Sequence, residues 1–210
     1  MTPADRIRAD AARIIERDAR FWNTDPAALQ IEVWGPGFGP LLHLILGQQV
    51  SIEAADAMYA NLEETIGNVT PPTLLVLDDD SMRRCGFTKM KAGYARGLAR
   101  AVLDGFDLES LSDRPDEAVI DALTGLHGIG RWTAECYLLF CLGRHDVFPA
   151  GDLALRVGYR ELAGLSDPPT EGETAQAALQ WAPRRTAAAY LVWQKYLERR
   201  GRAGAVPFQR

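Results

Sequence analysis

Residues 123–152 read LTGLHGIGRWTAECYLLFCLGRHDVFPAGD, and this stretch decides how the rest of the chain is understood. Just upstream, Asp116, Val119, Ile120, Leu123 and Leu126 are spaced as one helix face, and downstream Trp132, Thr133, Cys136, Tyr137 and Phe140 are spaced as another. The connection, Leu126-His127-Gly128-Ile129-Gly130, is too short for anything but a tight turn. A helix, hairpin and second helix are therefore predicted at about 116–142. Two glycines around one apolar residue let the backbone take positive φ and approach another surface with no Cβ in the way. The amides after Gly130 belong to a helix N-terminus, where unpaired N–H groups and the helix dipole favour an anion such as a phosphate. His127, Gly128, Gly130, Arg131 and Thr133 are the candidates to hold it. The plainer alternative is that the glycines only end one helix and begin the next.

The stretch closes on a carboxylate. Asp152 precedes Leu153-Ala154-Leu155-Arg156, the start of a predicted helix, and the free amides there favour its ionised form. Pro149, Ala150 and Gly151 bring a bare backbone up to it. The alternative is an ordinary N-cap, contributing about 1 kcal/mol of helix stability. Asp146, on the other side of the loop, is a reserve candidate.

The chain has 210 residues, 47% of them hydrophobic and 24% charged, enough for a sizeable core. No apolar run is long enough for a membrane span and the N-terminus has no signal-peptide pattern, so cytoplasmic residence and no membrane partner are expected. Three cysteines, Cys85, Cys136 and Cys141, lack CxxC spacing, which argues against structural zinc or a disulfide framework. The formal net charge of -5 argues mildly against a nucleic-acid partner, but its distribution matters more. Arg83, Arg84, Lys89, Lys91, Arg96 and Arg100 form an acid-free run. Arg184, Arg185, Lys195, Arg199, Arg200, Arg202 and Arg210 face a lone Glu198. These runs read either as solvated helix faces or as one basic side of a polar molecule.

Helical spacing covers 3–22, 41–46, 52–66, 92–103, 153–162, 170–181 and 184–200, with short helical pieces at 71–77 and 80–85. No segment alternates with the period of a sheet. The expected fold is all-α, with two helical subdomains and a cleft between them, residues 1–40 plus 150–210 forming one and 41–149 the other. Where the helix of 41–46 meets the next, the polar pair Gln48 and Gln49 must find partners or face out, and Ser51 is placed to cap the second helix.

LxGIGxWTA followed by VFPAGDLAL resembles the helix-hairpin-helix DNA glycosylases. ILGQQVS at 45–51 and YLVW at 190–193 narrow the likeness to the alkylpurine-DNA glycosylases of the AlkA and yeast 3-methyladenine glycosylase branch, without their N-terminal β-domain. The likeness runs from about Leu41 to about Tyr196. It implies a monomeric enzyme that binds damaged double-stranded DNA, flips an alkylated purine out and hydrolyses its N-glycosidic bond. On this reading Asp152 is the catalytic carboxylate. Trp132, Trp193, Cys136 and Tyr137 line the base pocket, although core packing is the usual fate of aromatics at helical spacing. Gln49 becomes the wedge in the gapped duplex with Ser51 beside it in the minor groove, or else a mere part of the helix break. Lys89 and Lys91 touch the DNA backbone.

In such relatives hairpin carbonyls hold a sodium or potassium ion, here those of Leu126 and Ile129. No cofactor is expected for catalysis, and no iron-sulfur cluster, because no cysteine follows Cys141. Trp132 stands where lyase-active members of the superfamily carry a Schiff-base lysine, which implies no lyase activity. The rival readings are a helix-hairpin-helix module that binds DNA without chemistry, and a uracil or mismatch glycosylase on the same scaffold.

Overall fold

The computed structural model describes residues 1–202, which are all helix, turn and loop. The α-helices are α1 (Pro3–Ile15), α2 (Phe38–Leu46), α3 (Ile52–Ile66), α4 (Pro71–Leu75), α5 (Asp79–Arg84), α6 (Lys89–Leu103), α7 (Asp116–Thr124), α8 (Arg131–Cys136), α9 (Leu153–Ala163), α10 (Glu171–Ala178) and α11 (Arg185–Glu198). Among the described residues there is no strand, and no helix is long and apolar enough to cross a membrane.

The chain divides into two compact units. Among the described residues one holds Met1–Val33 and residues 143–202; the other is Trp34–Leu142. These boundaries lie earlier than the 40/41 and 149/150 expected from sequence. Trp34 explains the first, since its amide donates to the Phe140 carbonyl at 2.8 Å and ties the glycine-rich segment to the second unit.

In the first unit α1 begins at a capping box, Thr2 and Asp5 exchanging hydrogen bonds, with Pro3 at the first helical position. It buries Ile7, Ala11 and Ile14. The expected helix to Trp22 stops at Ile15, because the Asp18 carboxylate accepts from the Arg20 amide and starts a separate 3-10 turn, Ala19–Phe21. α11 packs on both α1 and α9. At its crossing with α9 the backbone of Gly158 comes so close that a Cβ would lie 2.9 Å from Val192 Cγ1.

In the second unit every residue of α2 is buried, and α3, α6 and α8 pack around it. His43 of α2 stacks on Trp34 and on Tyr59, its ring centroid 5.4 and 4.7 Å from theirs, and its Nε2 lies 2.9 Å from Asp56 Oδ1. The carbonyl of Leu46, at the end of α2, accepts a hydrogen bond from Lys91 Nζ. Lys91 is only 4% exposed, which corrects its expected place on the DNA backbone: the side chain turns inward to cap a helix.

Burial lowers the Lys91 ammonium pKa below its ordinary value, so between the two values the folded chain binds fewer protons here than the unfolded chain. Stability contributed at this position therefore rises with pH. In urea titrations, the difference in unfolding free energy between the parent and Lys91→Met should move in the parent's favour as pH is raised from neutral toward 10.5. A constant difference would show an amine that stays hydrated.

Candidate active site

The two hairpin glycines do different work. Gly128 has φ +89°, and a Cβ on it would lie 2.2 Å from Tyr94 Cγ, so the turn sits directly on the tyrosine ring of α6. His127 meets the same ring edge-on at 5.1 Å. Gly130 has φ -95° and open space where a Cβ would be; it is the N-cap of α8, and no side chain caps that helix.

The turn is also gripped from α2. The Gln48 amide nitrogen donates to the Gly128 carbonyl at 2.9 Å and to Thr133 Oγ1 at 3.1 Å. Thr133 is buried, so its hydroxyl is committed inward and only its backbone is suited to an anion. Arg131 pairs with Glu117 at 3.0 Å and Glu135 at 2.9 Å, which cancels its charge at the hairpin. The Leu126 carbonyl accepts from the Ile129 amide at 3.1 Å, closing the turn whose carbonyls were the candidates for a monovalent ion.

Next to Gln48 the chain does the opposite with Gln49, which is exposed at φ +57°, the one non-glycine at positive φ among the described residues. A side chain held in this conformation costs about 1–2 kcal/mol and persists only where its surroundings impose it. Ser51 is exposed and caps α3, its Oγ accepting from the Ala54 amide at 3.3 Å.

In the first unit Asp152 is the N-cap of α9. Its Oδ1 accepts from the Leu155 amide at 2.9 Å and from the Trp193 indole N–H at 3.2 Å. The carboxylate is half-buried, and the exposed side chain of Leu153 follows it. The preceding loop is fastened to the start of α11, where Thr186 Oγ1 accepts from the Val147 amide at 3.0 Å. Asp146 accepts from Arg185 Nε at 2.8 Å and Nη2 at 3.0 Å. Burial works to raise the Asp146 pKa, but the bonds from the Arg185 side chain and backbone outweigh it and hold the carboxyl below its usual range. Asp146 is thus the anchor of the loop.

The expected base-pocket residues are differently disposed. Trp132 is half-buried in the first turn of α8. Cys136 and Tyr137 have no exposed surface and belong to the core, a correction to their place in a pocket. After Cys136 the helix widens into a π-turn, Tyr137–Cys141, which carries all five side chains inside. The Tyr137 hydroxyl accepts from the Gly37 amide at 3.3 Å, and burial pushes its pKa well above the tyrosine range. Trp193 is 3% exposed, with its N–H spent on Asp152.

The acid-free runs meet acids from elsewhere: Arg83 pairs with Asp80, Arg96 with Asp79, Arg184 with Asp10, and Arg199 and Arg200 with Glu161. Lys89, at the start of α6, is exposed, and Arg210 lies outside the described residues.

Residues 42–184 match the HhH-GPD superfamily of base excision DNA repair proteins. The chain belongs to this superfamily. It is 36% identical over 73% of its length to DNA-3-methyladenine glycosylase 1 of Schizosaccharomyces pombe, covering 70% of that protein. Two other curated relatives are covered over 60% and 57% of their own length. Among solved structures, the S. pombe 3-methyladenine DNA glycosylase in complex with abasic DNA superposes with a TM-score of 0.73 at 34% identity, over 79% of this chain and 82% of that one. The DNA-3-methyladenine glycosidase of Bacillus halodurans gives a TM-score of 0.74 at 30% identity over 93% of both chains.

For this HhH-GPD chain, Gln48 and Tyr94 are the site-building residues that the sequence reading did not assign. Gln48 announced itself only as a polar residue in need of partners, and nothing local marks Tyr94 as the seat of Gly128. Gly128→Ala should cost about 3 kcal/mol of stability, from overpacking against Tyr94 and the strained φ. Gly130→Ala, in open space at negative φ, should stay within about 0.5 kcal/mol of the parent. Equal losses in chemical denaturation would contradict this division.

Proposed function

We propose that the chain is a monofunctional DNA glycosylase that hydrolyses the N-glycosidic bond of alkylated purines, of the 3-methyladenine and 7-methylguanine type, in double-stranded DNA. The observation that carries the reading is Asp152 in FPAGD: a half-buried carboxylate at a helix N-terminus, held by a backbone amide and an indole, in a chain 36% identical to a 3-methyladenine glycosylase. Both donors favour the ionised form of the acid.

Alkylation at N3 or N7 gives the purine a positive charge and makes it a good leaving group. As the bond from C1′ to the base nitrogen breaks, its electron pair leaves with the base and the sugar becomes oxocarbenium-like. An anion beside the sugar stabilises that charge, and water then adds to C1′ and gives up a proton, leaving free base and an abasic site. Asp152 takes this role. Gly128, Gly130 and the amides of Arg131 and Thr133 take a backbone phosphate, with His127 at the rim; Gln49 fills the gap left by the base, beside Ser51. Trp132 offers the cationic base an indole face worth about 0.5–2 kcal/mol.

Trp132 at the lyase-lysine position supports hydrolysis without strand cleavage. A sodium or potassium ion at the Leu126 and Ile129 carbonyls would brace the turn and bridge to phosphate, as a structural ion only. The protein acts as a monomer in the cytoplasm, with Lys89 near the backbone.

Asp152→Asn separates chemistry from binding. Asn is as good an N-cap as Asp, so the fold should be retained within a few tenths of a kcal/mol. Release of 3-methyladenine should fall by about 10²- to 10³-fold with duplex affinity unchanged. If parent and variant bind alike and neither releases base, the chain is a DNA-binding module. If the parent frees uracil or mismatched thymine from a lesion panel and leaves alkylpurines untouched, it is a glycosylase of the other class.

A further inference from the structure

A cavity of about 320 Å³ opens on the first unit beside the C-terminal end of α1 and the turn leading into α11, lined by Arg13, Arg17, Arg20, Trp181 and Arg184 among others. Two carboxylates answer these guanidiniums. Asp18 is used up on Arg20, accepting at 2.8 and 2.6 Å, and it also takes the Trp181 indole N–H at 3.0 Å. Arg20 lies over the Trp181 ring at 5.3 Å and gives its remaining reach to Gln180, so its head is fixed. Asp10, 5% exposed, serves both Arg13 at 2.9 Å and Arg184 at 3.1 Å through one oxygen. Among the described residues Arg17 has no ion pair and no side-chain hydrogen bond. Four guanidiniums against two carboxylates leave the cavity with an excess of two positive charges in a chain whose formal net charge is -5.

We propose that this cavity is a phosphate site. Guanidinium forks match the oxygens of a phosphate in pairs, and donors already fixed at a concave surface, as Arg13 and Arg184 are by Asp10, lose little freedom when one arrives. Arg17 and the nitrogens of Arg13 and Arg184 that do not face Asp10 are the donors; Asp10 fixes Arg13 and Arg184, Asp18 and Trp181 fix Arg20, and Arg17 turns to meet the anion. The phosphate comes either from the backbone of bound DNA, which rests on the proposed glycosylase reading, or from a free phosphate-bearing molecule, which does not.

Arg17→Gln is the test, because the side chain holds nothing else in the fold; Arg13→Gln repeats it and Arg114→Gln, an exposed arginine of the other unit, is the control. With undamaged duplex as probe, a DNA phosphate in the cavity requires the slope of log K against log salt to become shallower by about 0.9 in Arg17→Gln, with roughly three- to tenfold weaker binding at low salt and no change in the control. Base release at saturating DNA should stay at the parent rate. With inorganic phosphate as probe, a free-anion site requires a saturable shift of the Trp181 indole N–H resonance in the parent that Arg17→Gln abolishes, while the duplex slope stays put. An unchanged slope together with no saturable shift overturns the proposal. Because neither probe carries a lesion, a chain that releases no base can still pass, so the two readings fail separately.

Discussion

The Oδ1 atom of Asp152 accepts two hydrogen bonds, one from the helix it caps and one from the indole of Trp193. The arrangement depends on how closely α9 and α11 approach. Gly158 allows the contact with Val192, and Trp193 is the next residue on α11. A bulkier residue at 158 would push the helices apart and draw the indole from the carboxylate. Stability alone does not demand an aspartate at this position. Asn and Ser cap a helix about as well, within tenths of a kcal/mol. What only aspartate adds is a full negative charge, fixed in direction and partly withdrawn from water, which gains value when a positive centre forms beside it.

The second unit shows the same economy in its two adjacent glutamines. Gln48 spends its amide on the hairpin, and so links the end of α2 to the start of α8. Gln49 is turned outward at φ +57°. The contrast has a mechanical sense. A side chain can be pushed against a partner only if the backbone below it does not yield, and here the backbone leading into Gln49 is pinned twice, by Gln48 on the hairpin and by Lys91 on the Leu46 carbonyl.

Much of this was legible in the sequence, for identifiable reasons. The helix of 116–124, the turn and the N-caps Ser51 and Asp152 follow from periodicity and capping chemistry, which are local. The dilemma posed by Gln48 and Gln49 was legible too, and the fold resolved it in both ways at once. Burial was harder to see. Lys91 looks like a surface cation, and only the position of the α2 C-terminus, far away in sequence, makes an inward course favourable. Cys136 and Tyr137 fit a helical face on paper, but α8 already buries Thr133, Ala134 and Cys136, and the π-turn that follows carries Tyr137 and the next four side chains inside as well. The acid-free runs misled partly for the same reason: Asp80 is only three residues from Arg83, but Arg184 draws its acid, Asp10, from a distant segment.

Charge cancellation also bears on how such a chain can hold a polyanion at all. Arg131 stands at the hairpin, but Glu117 and Glu135 neutralise it. A hairpin of this kind offers phosphate mainly backbone N–H groups and the dipole of a helix end, whose reach is within the first turn. Such a grip is short in range and directional. It orders a duplex that has already arrived and does little to attract one from a distance. Attraction from a distance needs cations that no carboxylate answers, and Arg17, exposed on the first unit, is one of them. A neutral, orienting contact suits an acidic protein, because the functional turn can be built to geometric demands without carrying repelling charges into its own fold.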